Sequence, residues 1–237
     1  MQSSSASVRD TSAAKQPQQV FDVDQPACSH TVFAFSPNRD TLGGTAYLIV
    51  EKSGNVLVDC PAWNEVNQQF LDAQGGVKSL VLTHRGGIGK VREIQQAFDC
   101  DVVIQEQEAY LLPGIRCTAF QSAFNLSGDT RVIWTSGHSP GAACVYHEPC
   151  RVLFSGRHLV SDRTGNPIPL RTAKTFHWPR QLRHVQQLID QFSPDTLQFI
   201  CPGANIGLLR GKRSINNAYQ KLIQFDFATA QTQQPIL

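Results

Sequence analysis

The sequence predicts an α/β fold of four layers, with two β-sheets face to face and helices on both outer sides. Three observations lead there. The chain has two β-rich halves, and each half carries amphipathic helices. The first half contains a strand–helix–strand unit. Nothing between the halves reads as a linker, and no short-period repeat is visible. At 237 residues and 41% hydrophobic, the chain can bury a sizeable core.

The elements follow in order. Residues 1–20 are rich in Ser, Ala and Gln, so a disordered tail is expected there. They lack the apolar stretch of a secretory signal. Residues 21–228 read as one folded domain, and 229–237 as a second flexible tail. Residues 45–50 form a continuous apolar strand, 52–55 a turn, and 56–59 a second strand ending on Asp59. Val66, Phe70 and Leu71 give 65–73 helical spacing, and Gly75-Gly76 stops it. Residues 79–82 are a short buried strand running into His84. Ile88, Val91, Ile94 and Phe98 mark an amphipathic helix over 88–98, and 101–104 is the next strand. The histidine therefore sits in a strand-to-helix loop, where open α/β sheets place their ligands. In the second half, 131–134 is a strand, and 142–146 with 151–154 form a hairpin around Glu148-Pro149. Pro179 opens a helix over 181–192. Residues 197–201 make a final strand and 214–225 a final helix.

Composition narrows the function. A formal charge of +2 argues against a dedicated nucleic-acid or membrane-surface binder. No apolar stretch reaches the ~18 residues of a membrane span. The seven cysteines are scattered, without a C-x-x-C pair, and read as small core residues of a reducing compartment, not a disulfide framework. The cytoplasm is expected, or the chloroplast stroma if the N-terminal residues act as a transit peptide. His147 and Cys150, three apart, could be a fragment of a zinc site, but no second ligand pair is visible beside them and Glu148-Pro149 reads as a turn.

Four landmarks carry the chemistry: Leu82-Thr83-His84, Ser136-Gly137-His138-Ser139-Pro140-Gly141, Leu153-Phe154-Ser155-Gly156-Arg157-His158, and Cys201-Pro202-Gly203. In this order they resemble the metallo-β-lactamase fold superfamily, over roughly residues 42 to 225. The resemblance implies the αββα sandwich. It also implies hydrolytic chemistry on one or two metals, held by five histidines and two or three aspartates. The Thr83-His84-Arg85 loop is further similar to a branch found in photosynthetic organisms.

Most of that ligand set is missing. The superfamily's first loop carries H-x-H-x-D-H, where this chain reads Thr83-His84-Arg85-Gly86-Gly87-Ile88-Gly89-Lys90. Aligned without a gap, Gly86, Ile88 and Gly89 take ligand positions. Aligned with a two-residue deletion, Gly86-Gly87 replace the Asp-His pair. Either way His84 is the loop's one ligand type. His138 stands at a ligand position in an intact G-H-[ST]-x-G turn. Gly156 is followed by Arg157 where the family has a metal-bridging aspartate, and a guanidinium stays protonated. Pro202-Gly203 is followed by Ala204 and Asn205 where the family has histidine.

Three readings follow. The first is a binding or assembly protein on a hydrolase fold, with no cofactor expected. The second is a mononuclear hydrolase holding one zinc or iron ion by His84, His138 and an atypical third ligand such as His158 or Asp59. The third, the most specific form of the first, is an anion-binding pocket of His84, Arg85, His138, Arg157, His158 and Asn205, with Lys90 nearby. Its partner would be a small anionic ligand or another protein. Blander roles compete. His84 could be a hydrogen-bonded core residue, Gly137 and Gly141 could serve turn geometry alone, and Arg157 could pair with Asp59 or a carbonyl.

Overall fold

The computed structural model describes residues 15–21 and 28–235. The first sheet runs in chain order: β1 (Gln18–Gln19), β2 (Thr31–Ala34), β3 (Tyr47–Val50), β4 (Val56–Val58), β5 (Ser79–Leu82), β6 (Asp101–Gln105) and β7 (Cys117–Phe120). β1 to β4 pair antiparallel, and β4 to β7 pair parallel. Helices α1 (Glu65–Ala73) and α2 (Val91–Phe98) supply the first two parallel crossovers, and α3 (Glu106–Ala109) follows β6.

The second sheet has the order β15-β14-β11-β10-β9-β8. Its strands are β8 (Ala123–Asn125), β9 (Thr130–Trp134), β10 (Ala143–His147) and β11 (Val152–Gly156), then, after an excursion, β14 (Phe199–Pro202) and β15 (Ile215–Asn216). The excursion holds a two-stranded ribbon, β12 (Leu159–Ser161) with β13 (Pro167–Pro169), and helix α4 (Trp178–Gln191). Helices α5 (Ala218–Leu222) and α6 (Phe227–Thr232) end the described chain.

Alternation along the strands produces the four layers. Val56, Val58 and Val81 of the first sheet meet Val145, Val152 and Phe154 of the second in a central core. Leu57, Leu80 and Leu82 point the other way, onto Leu71 and Ile94 of the first helix layer. Leu153 and Ile200 face Val185, Leu188 and Leu222 of the second helix layer. The expected αββα sandwich is what the chain forms.

Several local expectations change. The helix expected over 88–98 begins at Val91, because Gly89 has φ +42 and interrupts it. The helix expected over 214–225 splits: Ile215 pairs with Ile200 as β15, and the helix starts at Ala218 after a left-handed Asn217. The helix expected from 181 starts at Trp178, with the His177 ring accepting from the Arg180 N–H as its cap. The C-terminal tail expected from 229 is helical to Thr232. Asp226 caps α6 and the Trp178 indole donates to the Ala230 carbonyl at 2.8 Å. Of the tail expected over 1–20, residues 1–14 lie outside the described residues, while Gln18–Gln19 pair with β2. Cys28 and Cys150 form a disulfide across 122 residues, correcting the expectation of none; Cys60, Cys100, Cys117, Cys144 and Cys201 are free. Among the described residues no helix is long and apolar enough to cross a membrane.

Candidate functional site

The carboxyl ends of β4 and β5 lie side by side, with Val58 opposite Val81. Asp59 follows β4 in a left-handed conformation, φ 58, which turns its side chain toward the β5 terminus. Its Oδ1 accepts from the Thr83 N–H at 2.8 Å, and its Oδ2 accepts from the Thr83 hydroxyl at 2.6 Å. That hydroxyl has spent its one proton, so at 3.0 Å it accepts from His84 Nδ1. The network thus assigns the proton to Nδ1 and leaves Nε2 bare. Burial pushes Asp59 up to about 6, against the pull of the two Thr83 donors. Burial, then His138, Arg157 and Arg85, hold His84 well below the ordinary imidazole range. His84 is therefore neutral, and its buried Nε2 has no partner among the described residues.

His138 stands on the loop after β9. Gly137 has φ +146 and lies against the Gln181 backbone, where a Cβ would strike, so glycine is required there. Burial first, then Arg157, pushes His138 down to about 4. The rings of His84 and His138 lie edge to face with centroids 5.8 Å apart. The buried Nδ1 of His138 also lacks a partner.

Arg157 follows Gly156, whose φ of +51 and close approach to Thr83 again require glycine. Arg157 Nη2 donates to the carbonyls of Thr41 at 3.0 Å and Leu42 at 2.8 Å. Both acceptors are neutral, so the guanidinium charge stays uncompensated by them. Arg85 differs, because its Nε donates to the fully buried Glu108 at 3.1 Å.

A cavity of about 780 Å³ opens at the two histidines and two arginines, bounded also by Leu42, Lys174 and Phe176. Of the expected set, His84, Arg85, His138, Arg157 and Asn205 line it. His158 does not. It is 1% exposed, neither ring nitrogen has a partner, and burial with His184 and His138 pushes it down to about 3. Lys90 is absent from the lining and pairs with Glu93 at 3.5 Å.

No protein-family model matches the chain, and no curated protein matches it in sequence. Solved structures do. A metallo-β-lactamase from Pontibacter korlensis superposes with a TM-score of 0.64 at 18% identity, covering 92% of this chain and all (100%) of that one. The chain has the metallo-β-lactamase fold. Two further neighbours carry iron. TTHA1623 in a di-iron-bound form gives a TM-score of 0.60 at 20% identity, over 76% of this chain and 98% of that one. The peroxy diiron species of the chemotaxis sensor ODP gives 0.58 at 14% identity, over 89% and 99%.

A two-metal group like the diiron of those two neighbours does not fit the cavity. Two imidazoles offer bare nitrogens, but Gly86 and Ala204 offer no donor, no carboxylate lines the cavity among the described residues, and the Arg157 guanidinium does. The expectation of no cofactor is nonetheless corrected. Metal-bound neighbours share the fold, and elsewhere in this chain His30, Glu51 and His147 bring ligand atoms within 4.8 Å of one another. Sequence reasoning passed over His30 and Glu51. The signal was Cys28-x-His30, a spaced pair that complements His147-x-x-Cys150.

Proposed function

We propose that this chain is a non-catalytic binding or assembly protein whose cavity takes a small anion with an apolar body. One observation carries the reading: Arg85, Arg157 and Lys174 line the cavity and, among the described residues, no carboxylate does. Arg157 is held in place by two carbonyls, so little side-chain entropy remains to be lost when an anion docks. The neutral histidines add a polar wall. Leu42 and Phe176, 70% and 50% exposed, offer the apolar contact. A carboxylate or phosphate suits the guanidinium fork. The five free cysteines fit a reducing compartment, cytoplasmic or stromal, with the Cys28–Cys150 disulfide as the exception.

Calorimetric titration with phosphate, citrate and small acyl or nucleotide anions tests this, wild type against Arg157→Asp. Millimolar or tighter binding by wild type, weakened at least about tenfold in the variant, supports the reading (about 1.4 kcal/mol). Equal responses refute it.

A second reading rests on the bare nitrogens of His84 and His138. They could supply two ligands to one zinc or iron ion in a hydrolase, with an atypical third. Metal-dependent ester or lactam hydrolysis that disappears in His138→Ala would favour it.

A further inference from the structure

At the opposite end of the sandwich from the cavity, the first and second sheets are joined by a group of sulfur and imidazole side chains. Cys28 and His30 lie just before β2. His147 ends β10, and Cys150 follows in the tight turn to β11. The sequence hid the combination, because the two pairs are more than a hundred residues apart.

His30 Nδ1 and His147 Nε2 face each other at 2.9 Å. The other nitrogen of His147 is fixed. Thr130 Oγ1 donates to Glu51 Oε1 at 3.0 Å, so it accepts from His147 Nδ1 at 2.8 Å. Glu51 Oε1 lies 3.4 Å from the same nitrogen. The Nδ1 proton is thereby held, and the Nε2 lone pair is turned toward His30. A carboxylate and a hydroxyl behind an imidazole are how proteins orient a metal-binding histidine. Both sulfurs flank His30, with Cys28 Sγ 2.8 Å and Cys150 Sγ 3.8 Å from its carbonyl oxygen. His147, Glu51 and Cys150 are buried; Cys28 and His30 are half-buried, which gives solvent a way in.

We propose that Cys28, His30, His147 and Cys150 form a tetrahedral zinc site when the two cysteines are thiolates, with Glu51 and Thr130 as positioning residues. Two thiolates and two imidazoles are the donor set zinc prefers in closed structural sites. A tetrahedral zinc holds its nitrogens about 3.3 Å apart, and the two here need to part only slightly. The sulfurs move further, since the disulfide must first be reduced. The site therefore has two exclusive states. A small-molecule disulfide of the glutathione class closes it: one thiolate attacks, the other resolves the mixed disulfide, and the Cys28–Cys150 bond forms. Two small thiolates leave, and the cation departs as Zn²⁺. A thiol reductant reverses the exchange.

The test uses the full chain, stripped of metal and reduced with a phosphine, then titrated with cobalt(II) and with zinc against a chromophoric chelator. The reduced protein is expected to take up one equivalent. Cobalt should show thiolate charge-transfer absorption and the intense visible bands of a tetrahedral ion. Wild type oxidised with a small disulfide should bind at least about a hundredfold more weakly, a comparison that needs no variant. Cys28→Ser and Cys150→Ser should lose the charge-transfer band in part, and Glu51→Gln should weaken binding about tenfold to a hundredfold. No uptake by the reduced chain overturns the proposal. So does cobalt bound without thiolate absorption, or equal affinity in the reduced and oxidised proteins.

Discussion

Asp59 grips Thr83 twice, through the backbone N–H at 2.8 Å and the hydroxyl at 2.6 Å. This clasp ties the end of β4 to the end of β5, and it fixes the ring of His84 one residue on. Removing the hydroxyl leaves a buried carboxylate oxygen without its donor. Thr83→Val is therefore expected to destabilise the chain by about 1–3 kcal/mol, read from urea unfolding. It also frees His84 Nδ1, so the imidazole resonances should change even where the fold holds. An unchanged urea midpoint would refute the clasp.

Acid should destabilise the fold. His138 and His184 are pushed down to about 4 and His158 to about 3, mainly by burial, from an ordinary 6.5. Below 6.5 the unfolded chain binds protons that the native chain refuses, so stability falls as pH drops toward 4. Asp59 works in the opposite sense: raised from 3.8 to about 6, it favours the native state as pH falls through that range. With His84 and His147, also pushed down by burial, five imidazoles outweigh one carboxyl. Urea midpoints at pH 7 and pH 4.5 check the sign, and a higher midpoint at pH 4.5 would contradict it.

Arg85 is half exposed and Glu108 fully buried, so the pair is lopsided. Arg85→Ala strands the carboxylate, whose Oε2 already lacks a partner. A loss of about 1–3 kcal/mol is expected. Adding Glu108→Gln should recover part of it, because the neutral amide is cheaper to bury. A double-mutant cycle by thermal unfolding reads the coupling, and additive losses would show that the pair contributes nothing.

Helix α6 is held by one indole hydrogen bond, by the burial of Ala230 and by Phe227 packed on the second helix layer. Trp178→Phe keeps the aromatic bulk and removes the donor. The expected cost is about 0.5–1.5 kcal/mol, concentrated locally. Amide exchange over residues 227–232 should quicken while the strands stay protected.

The layers were legible because continuous apolar strands and period-3.6 helices are local signals. Val56-Leu57-Val58 and Leu80-Val81-Leu82 are apolar on both faces, so each strand needs cover on both sides, which a sheet and a helix layer supply. His138 and Arg157 were legible for a related reason, since each follows a glycine the backbone demands, and His84 because it comes at the end of an apolar run. His158 was misplaced because one residue reverses the side chain's direction: its N–H closes a turn onto Ser155, and its ring goes beneath the cavity wall. The Cys28–Cys150 and His30–His147 contacts were illegible, being set by the docking of two sheets across separations of 122 and 117 residues. Short strands such as β12 and β13 carry too few residues to show a period.

The glycines after His84 bear on whether the cavity wall can accept a metal-binding side chain. A Cβ at Gly86 would come within 2.9 Å of His84 Nε2, and one at Gly87 would strike Asp59 Oδ1. Replacing either glycine with a side chain that could bind a metal therefore displaces a neighbour, and at Gly87 that neighbour is the residue clasping Thr83. The loop is therefore closed to a single added ligand: a donor side chain placed at either glycine costs stability before it can meet a cation, and only a coordinated change of loop and neighbour would open it.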